Sequence, residues 1–358
     1  MSTRLVAGCM TGTSLDGLDA ALVRIEGRGL AMSARFVRGI TRPLGDLAGP
    51  LRRLAEQEPM SAGAIAALAR DFALLHADAL RKLVGPDRVD LVAVHGQTVF
   101  HAPPVSWQLM NAGPIARALG VPVVSDLRAA DLAAGGQGAP ITPLADWILL
   151  RHAGEARAVA NLGGFCNITR LPAGGDASAV TGQDVCACNH LLDTVARTLF
   201  NTPFDADGAR ASAGSVHGEA VGDLDRVLRG AGRPGRSLGT GDEAAEWVAC
   251  WRARIRADDL AATACGAIAR AIADAASDVD RLLLAGGGAK NRALARAIAS
   301  ACPAAVEPLD THGLPGAYRE AACMGVLGAL CQDRVPITLP AVTGVAAPAP
   351  MAGSWTYP

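Results

Sequence analysis

The sequence predicts an α/β protein, because short apolar runs typical of buried strands alternate with helical patterns along most of the chain. Two further observations support this class. Glycine-centred turns follow three of the predicted strands, at 12–14, 163–164 and 286–288, and polar or charged residues follow others. The chain has 358 residues, 50% of them apolar, so it is long enough for two domains or one large one.

The first part of the chain predicts a hairpin, a long helix and two buried strands. The hairpin consists of RLVAGCM and LDAALVRIEG around the first glycine turn. The helix covers 61–83, where apolar residues recur at helical spacing after a serine. The strands are VDLVAVHG and VPVVSDLR, with the short helix GPIARALG between them.

The second part predicts strand, turn and strand in ARAVANLGGFCNITRL, and then helices in NHLLDTVARTLFN and TACGAIARAIADAAS. A strand, glycine turn and helix follow in VDRLLLAGGGAKNRALARAIAS, and a last long helix in PGAYREAACMGVLGALC. Residues 228–241 are predicted to be a surface loop. The tail after Pro336, rich in proline and alanine, is predicted to be irregular and to close over another part of the chain.

Composition excludes several classes of function. The net charge of −1 provides no basic surface for nucleic acid. We expect no membrane span and no signal peptide, because no apolar run is long enough and the N-terminus soon turns polar. The nine cysteines form no CxxC pair, which indicates a reducing, cytoplasmic compartment. Cys186 and Cys188 lack a second pair of ligating residues, so no zinc site is predicted.

The three glycine turns suggest phosphate binding. Glycine lets backbone N–H groups approach a phosphate closely, a hydroxyl adds a donor, and a carboxylate such as Asp16 can hold magnesium. A single turn of this kind is more often an ordinary tight turn, and no Walker loop is present. The three together favour a nucleotide held between two related α/β halves.

Polar residues at strand ends suggest a sugar pocket, because sugar hydroxyls and a carboxylate need donors and acceptors. The residues concerned are His95, Gln97, His101, Asp126, Arg128 and Asp131. A lone histidine at a strand end is more often structural, and Arg128 with Asp126 can be a simple ion pair. Asp184 is predicted to lie just before a helix, either as an N-cap or as the carboxylate that a phosphoryl-transfer enzyme needs for its nucleophile.

One family's motifs occur in order along the chain: GCMTGTSLDGLDAAL, VHGQTVFHAP, GVPVVSDLRAADLAAGGQGAPITP, NLGGFCNIT, DADGARASAGSVH, LLLAGGGAKNRAL, GLPGAYREAACMGVLG and LPAVTG. With these motifs, from about Leu5 to about Gly344, the chain resembles the anhydro-N-acetylmuramic acid kinases of the actin-like ATPase and sugar kinase superfamily. The resemblance implies two actin-like (ribonuclease H-like) domains with an active-site cleft between them. Domain I would comprise 1–133 with the tail 338–358, and domain II would comprise 134–337.

The resemblance also implies a reaction and its cofactors. The enzyme would take 1,6-anhydro-N-acetylmuramic acid, a product of cell-wall turnover, with ATP, Mg2+ and water. It would open the anhydro ring, phosphorylate O6 and release N-acetylmuramic acid 6-phosphate and ADP. A cytoplasmic homodimer is expected, with no membrane or nucleic-acid partner.

The family's site residues fall on specific positions of this chain. Asp184 would be the catalytic base, and Asp16 would contact the magnesium ion. His95, Gln97, Asp126, Arg128 and Glu320 would bind the sugar. The nucleotide would contact Gly12, Thr13, Ser14, Leu15, Asp16, Gly17, Leu18, Asp19, Gly163, Gly164, Gly286, Gly287 and Gly288.

Two departures from the family pattern stand out. The family reads D-T-G-P-G-N where this chain reads DVCACN, so Cys186 and Cys188 replace glycines that would let the backbone approach a ligand. Ala317 replaces an acid in GLPGAYREA. A repacked loop with the same reaction, a shifted substrate and a weakened enzyme are all compatible with these changes. Two other classes also stay open: a kinase for another amino sugar, and a nucleotide-binding regulator. A sugar-binding module without nucleotide conflicts with the glycine turns.

Overall fold

Strands and helices alternate along the chain in the computed structural model, which describes residues 2–12, 15, 17–231 and 242–358. The strands are β1 (Thr3–Thr11), β2 (Leu18–Glu26), β3 (Ser33–Arg42), β4 (Leu91–Val94), β5 (Gln97–Ala102), β6 (Val105–Leu109), β7 (Val123–Ser125), β8 (Arg157–Leu162), β9 (Phe165–Leu171), β10 (Thr181–Ala187), β11 (Arg281–Ala285), β12 (Ala305–Pro308) and β13 (Ser354–Thr356).

The α-helices follow the same numbering. They are α1 (Ala48–Ala55), α2 (Ala62–Val84), α3 (Gly113–Leu119), α4 (Ala129–Ala133), α5 (Pro143–Leu150), α6 (Asn189–Phe200), α7 (Ala209–Ser212), α8 (Gly218–Ala231), α9 (Asp242–Trp251), α10 (Ala257–Ala275), α11 (Arg292–Ala301), α12 (Arg319–Gln332) and α13 (Pro340–Thr343). The predicted helix over 61–83 is confirmed as α2, where the Ser61 hydroxyl accepts a hydrogen bond from the N–H of Ala64 at 3.2 Å.

The chain divides into two units. Unit 1 comprises Met1–Arg151, Asp176–Val180 and Gly313–Pro358, and unit 2 comprises His152–Gly175 and Thr181–His312. The sequence placed 134–337 in the second domain, whereas the structure groups α5 and α12 with unit 1. Helix α12 belongs to unit 1 because it packs against β1, β2 and β4. A Cβ added to Gly8 would lie 2.0 Å from the carbonyl oxygen of Ala321, so only glycine permits this approach of strand and helix.

Unit 1 contains a sheet in the order β3-β2-β1-β4-β7-β13. The first three strands are antiparallel, and β1, β4 and β7 are parallel. Its apolar core includes Leu18 and Leu22 of the hairpin and Phe72 and Leu80 of α2. The hairpin β5–β6 forms a separate two-stranded sheet.

Unit 2 repeats this arrangement in the order β10-β9-β8-β11-β12, again three antiparallel strands followed by parallel ones. Its core surrounds α10, in which twelve residues are buried. The α/β prediction is therefore confirmed. Apart from the additional strand β13 of unit 1, the strand order is the same in both units, and it is that of the actin-like (ribonuclease H-like) fold.

Two local predictions are wrong. Part of the predicted loop over 228–241 is helical, because α8 continues to Ala231; residues 232–241 lie outside the described part of the chain. The tail is not wholly irregular either. It forms α13 and β13, and β13 pairs with the open edge of β7, where Trp355 lies opposite Val124.

Candidate active site

The first glycine turn joins β1 to β2 in unit 1. Thr13, Ser14 and Asp16 lie outside the described residues, so their predicted contacts with phosphate and magnesium stay predictions. Gly12 accepts a hydrogen bond from the N–H of Leu15 at 3.2 Å, and Leu15 adopts a left-handed conformation with φ 56°. Non-glycine residues in that region are uncommon and concentrate at functional loops.

Leu18 and Asp19 follow this turn, and their side chains differ in what they can offer a ligand. The Leu18 side chain is fully buried in the core, so only its backbone can face a ligand. The Asp19 carboxylate accepts a hydrogen bond from the Thr41 hydroxyl at 2.5 Å. It offers the hard oxygen ligand that Mg2+ prefers, and it is the described carboxylate closest in sequence to the predicted phosphate loop.

The turn at Gly163 and Gly164 packs against the start of α6 in unit 2. The Gly164 carbonyl accepts from the N–H groups of Cys188 at 2.9 Å and His190 at 3.1 Å, and the Gly163 carbonyl accepts from Asn189 at 3.0 Å. A Cβ added to Gly164 would lie 2.4 Å from Nε2 of His190. Contact with the His190 ring is therefore sufficient to require glycine at position 164, without any ligand.

The turn at 286–288 meets the same helix through Asn189, a residue that the sequence did not single out as a site residue. Its amide Nδ2 donates to the Leu162 carbonyl at 3.1 Å, and its Oδ1 would lie 2.7 Å from a Cβ added to Gly288. Gly286 has φ 82°, and an added Cβ would lie 2.8 Å from the Leu162 carbonyl.

Gly287 differs from its two neighbours, because the nearest protein atom to an added Cβ is 3.9 Å away. It is therefore the residue of this turn that has space for a ligand. The two turns lie at the carboxyl ends of the parallel strands β8 and β11, which is where α/β sheets bind ligands.

Asp184 lies in strand β10 and not directly before a helix, so that prediction is wrong; α6 begins five residues later, at Asn189. A β-bulge between Asp184 and Cys186 shifts the pairing with β9. As a result the Asp184 side chain faces outwards while Cys186 is buried, although residues two apart on a regular strand share a face. The Asp184 side chain is exposed, but the protein around the carboxyl still removes part of its water; this partial desolvation, rather than a helix dipole, raises the pKa of Asp184 above the usual value.

Cys186 and Cys188 are both fully buried in the core of unit 2, and Cys186 lies opposite Cys166 on β9. Their side chains therefore add apolar volume to the core and do not occupy the face that Asp184 presents. Burial raises the pKa of the Cys186 thiol to about 12, so it stays protonated and unreactive.

His95 and Arg128 lie together in unit 1. Nε of Arg128 donates to Nε2 of His95 at 2.9 Å, and Nδ1 of His95 lies 2.9 Å from the Gly96 carbonyl. Because a guanidinium only donates, the histidine carries its proton on Nδ1. Burial and the charge of Arg128 lower the pKa of His95 to about 3, so the ring is neutral. Both ring nitrogens are occupied by the protein, which makes His95 a support for Arg128 and leaves it no free nitrogen for a sugar.

Gln97 and Asp126 differ in exposure. The Gln97 side chain is 1% exposed, and its Nε2 donates to the Thr98 carbonyl at 3.2 Å, whereas its Oε1 has no partner in the described part of the chain. Asp126 is exposed directly after β7, with φ 54°. That left-handed conformation is uncommon for residues other than glycine, although aspartate adopts it more readily than most.

Glu320 is in the first turn of α12, where the helix dipole favours a carboxylate. Burial raises its pKa, the neighbouring charges of Arg319 and Arg128 lower it, and those of Asp146 and Asp19 raise it. Burial lowers the pKa of Arg128 to about 10, and the charge of Glu320 partly opposes this fall, so these two groups are within electrostatic range. The structure thus brings together His95, Arg128, Glu320 and Asp19 in unit 1.

Arg319, the residue before Glu320, is 1% exposed and forms a bidentate ion pair with Asp146 of α5. Its Nε donates to Oδ1 of Asp146 at 2.8 Å, and its Nη2 donates to Oδ2. The Cys323 thiol also donates to Oδ1. This pair could not be predicted from the sequence, because no local pattern links residue 146 to residue 319.

Within the described residues, no group of three or more histidine, cysteine, aspartate or glutamate side chains could hold a metal ion. No helix in the same residues is long and apolar enough to cross a bilayer.

Two actin-like units, each with glycine turns or polar residues at the carboxyl ends of its parallel strands, define the class of the sugar kinases and related ATPases. The family model for anhydro-N-acetylmuramic acid kinase matches residues 4–358. A relative of that name from Salinibacter ruber is 36% identical, covering 100% of this chain and 97% of its own length. Relatives of the same name from Gloeobacter violaceus and Xanthomonas campestris pv. campestris are each 35% identical, covering 98% and 96% of this chain and 98% and 95% of their own. The chain belongs to the anhydro-N-acetylmuramic acid kinase family and is a phosphotransferase.

Proposed function

We propose that this protein hydrolytically opens 1,6-anhydro-N-acetylmuramic acid and phosphorylates O6 at the expense of ATP, in the recycling of cell-wall sugars. The products are N-acetylmuramic acid 6-phosphate and ADP. The observation that carries this proposal is the bulge at Asp184, which turns a carboxylate of raised pKa outwards from β10. The family membership of the chain supports the choice of substrate.

Asp184 is the general base. It takes a proton from the water that attacks C1, the bond between C1 and O6 breaks, and O6 receives the γ-phosphoryl group. A general base is most effective when its pKa lies near the working pH, and burial moves the pKa of Asp184 in that direction. Attack by water at an anomeric carbon requires a base on the face opposite the departing oxygen.

Arg128 and Glu320 are proposed to bind the sugar. The Arg128 guanidinium suits the lactyl carboxylate, because a planar fork of N–H groups matches a carboxylate geometrically. Glu320 accepts hydrogen bonds from sugar hydroxyls, and Asp126 and Gln97 are the other two side chains proposed to contact the sugar. His95 contributes indirectly by holding Arg128.

The nucleotide is proposed to contact the three glycine turns. The first turn, with Gly12, Thr13, Ser14, Asp16, Gly17 and Asp19, would hold the β- and γ-phosphates. Gly163 and Gly164 would also face the phosphates, and the turn 286–288 would lie near the adenosine. Asp16 would contact Mg2+, and Asp19 is a carboxylate that can support the ion. When bound, Mg2+ neutralises charge that develops on the transferred phosphoryl group.

A reducing, cytoplasmic location also forms part of this proposal. Each of the nine cysteines lies in the described part of the chain as a free thiol, and eight of them are buried. Disulfides are rare where cellular thiols are kept reduced.

The proposal is tested by incubating the protein with ATP, Mg2+ and the anhydro sugar in water labelled with 18O. Mass spectrometry should find the 6-phosphate with one labelled oxygen at C1, and Asp184→Asn should bind nucleotide without turnover. Turnover of a different amino sugar alone would replace the proposed substrate. Tight ATP binding without turnover of any sugar would indicate a regulator.

A further inference from the structure

A buried hydrogen-bond network connects the C-terminal tail to Arg128. The Thr343 hydroxyl of α13 donates to Oδ1 of Asp131 at 2.7 Å. Oδ2 of Asp131 accepts from the N–H of Gly138 at 2.7 Å, and the Gly138 carbonyl accepts from Nη1 of Arg128 at 2.5 Å. Asp131 is 0% exposed and Thr343 is 1% exposed, so water does not compete for these bonds.

The loop 134–138, which lies between Asp131 and the contact with Arg128, is held at a second point. The N–H of Gln137 donates to the Thr343 carbonyl at 2.8 Å, so the tail is bonded to Asp131 through a side chain and to this loop through its backbone. A Cβ added to Gly136 would lie 2.2 Å from Oδ2 of Asp131, which shows how tightly the loop closes over that carboxylate.

Arg128 is therefore fixed on two sides. His95 holds Nε and Gly138 holds Nη1, which leaves Nη2 with no acceptor within residues 2–12, 15, 17–231 and 242–358. Fixing two of the three guanidinium nitrogens fixes the plane of the group. A planar donor that is oriented before binding loses less conformational entropy when it meets a carboxylate.

We propose that Thr343 and Asp131 are positioning residues that orient Arg128 for the carboxylate of the sugar substrate, so that the tail sets the selectivity for sugar acids. This inference rests on the proposed function, in which Arg128 binds the lactyl carboxylate. Neither Thr343 nor Asp131 touches the sugar. Both act through Gly138, whose carbonyl moves if the loop loosens.

The test is Thr343→Val, which keeps the branched shape of the side chain and removes the hydroxyl. Binding by calorimetry and kcat/KM are measured for 1,6-anhydro-N-acetylmuramic acid and for the same anhydro sugar without the lactyl group. Thr343→Val should reduce the preference for the sugar acid on the order of tenfold, less than the ~100-fold that a 1 Å misplacement can cost. KM for ATP should not change, and Thr343→Ser should restore the preference.

The matched control is Thr263→Val in α10 of unit 2. The Thr263 hydroxyl is equally buried and donates to the Asp259 carbonyl at 2.6 Å, so its loss should lower stability without changing the ratio between the two sugars. If Thr343→Val keeps the wild-type preference for the sugar acid, or loses kcat/KM equally for both sugars, the positioning role is overturned and the proposed function is not. Wild-type protein that binds neither sugar overturns the proposed function as well.

Discussion

Oδ1 and Oδ2 of Asp146 hold the guanidinium of Arg319 in a buried bidentate ion pair, and Glu320 is the next residue of α12. Burying two charges costs free energy that their attraction only partly returns, so such a pair is weak as a source of stability. Here it links α5 to the first turn of α12, which carries the carboxylate that is proposed to bind sugar.

Replacing one partner of this pair is expected to be costly. Asp146→Asn leaves the buried charge of Arg319 without its counterion and should lower the free energy of unfolding by about 3–5 kcal/mol. Urea unfolding measures this change. The control is Asp87→Asn in the exposed pair with Arg38, whose side chains are 46% and 40% exposed, where a loss below about 1 kcal/mol is expected. Equal losses in the two variants would contradict this account of Asp146.

The pH dependence of turnover should report Asp184. Burial raises the pKa of its carboxyl, and only the ionised form accepts a proton, so kcat should fall as the pH decreases through that raised value. The fall should begin at a higher pH than an ordinary aspartate would give. A profile of kcat against pH measures this, and a flat profile between neutral pH and the usual aspartate range would argue against Asp184 as the base.

The same shift predicts a gain in stability from Asp184→Asn. A carboxyl whose pKa is raised in the folded state stabilises the protein when protonated, below its pKa in the unfolded chain, and this contribution is lost as the pH rises through the folded value. At neutral pH the neutral amide should therefore unfold at a higher temperature than the wild type. Asp193→Asn, at a partly buried carboxyl whose pKa is also raised, should show a similar gain and retain turnover. Thermal unfolding measures the gain in both variants, and an activity assay measures their turnover. A lower unfolding temperature for Asp184→Asn would contradict this account.

Two neighbouring glycines provide a matched pair. Gly288→Ala should destabilise unit 2, because the new Cβ would lie 2.7 Å from Oδ1 of Asn189 and 2.8 Å from Cβ of Leu162. Gly287→Ala has space within the protein and should preserve stability while raising KM for ATP. Thermal unfolding and ATP titrations separate the two effects. An unchanged KM in folded Gly287→Ala would exclude this turn from the nucleotide site.

The buried cysteines are expected to matter for packing alone. Cys186→Ala removes a fully buried sulfur from the core and should cost roughly 0.5–3 kcal/mol, with kcat unchanged. Cys250→Ala removes an exposed sulfur and should change stability by less than about 0.5 kcal/mol. Loss of turnover in folded Cys186→Ala would show that the cysteine does more than fill the core.

Local patterns were sufficient for most of the fold. The helix over 61–83 and the hairpin around the first glycine turn follow from residue spacing within a few turns of chain, and the structure has both. The three glycine turns were visible because glycine after a strand is a local signal. The sequence does not show whether each turn faces a ligand or packs against the protein. Gly287 has space for a Cβ and Gly288 does not, because Asn189 and Leu162 lie against Gly288.

What the sequence could not show depends on distant pairs. The outward position of Asp184 follows from a register shift against Asn167 and Cys166 on β9, which no spacing along β10 reveals. The role of Asp131 depends on Thr343, 212 residues away. The sequence predicts that His95 touches the sugar, and only the contacts with Arg128 and Gly96 show that its two nitrogens are already used.

During synthesis on the ribosome, unit 1 cannot be completed until α12 and β13 have been made. Strand β1 emerges before the other strands of its sheet, yet the helix that covers it ends at Gln332 and the last strand of that sheet ends at Thr356. At roughly 5–20 residues per second, the N-terminal strands wait tens of seconds with an uncovered apolar face. Apart from a short excursion, unit 2 is made as one intervening stretch and can fold while unit 1 is incomplete. The half of the protein that begins first is thus finished last.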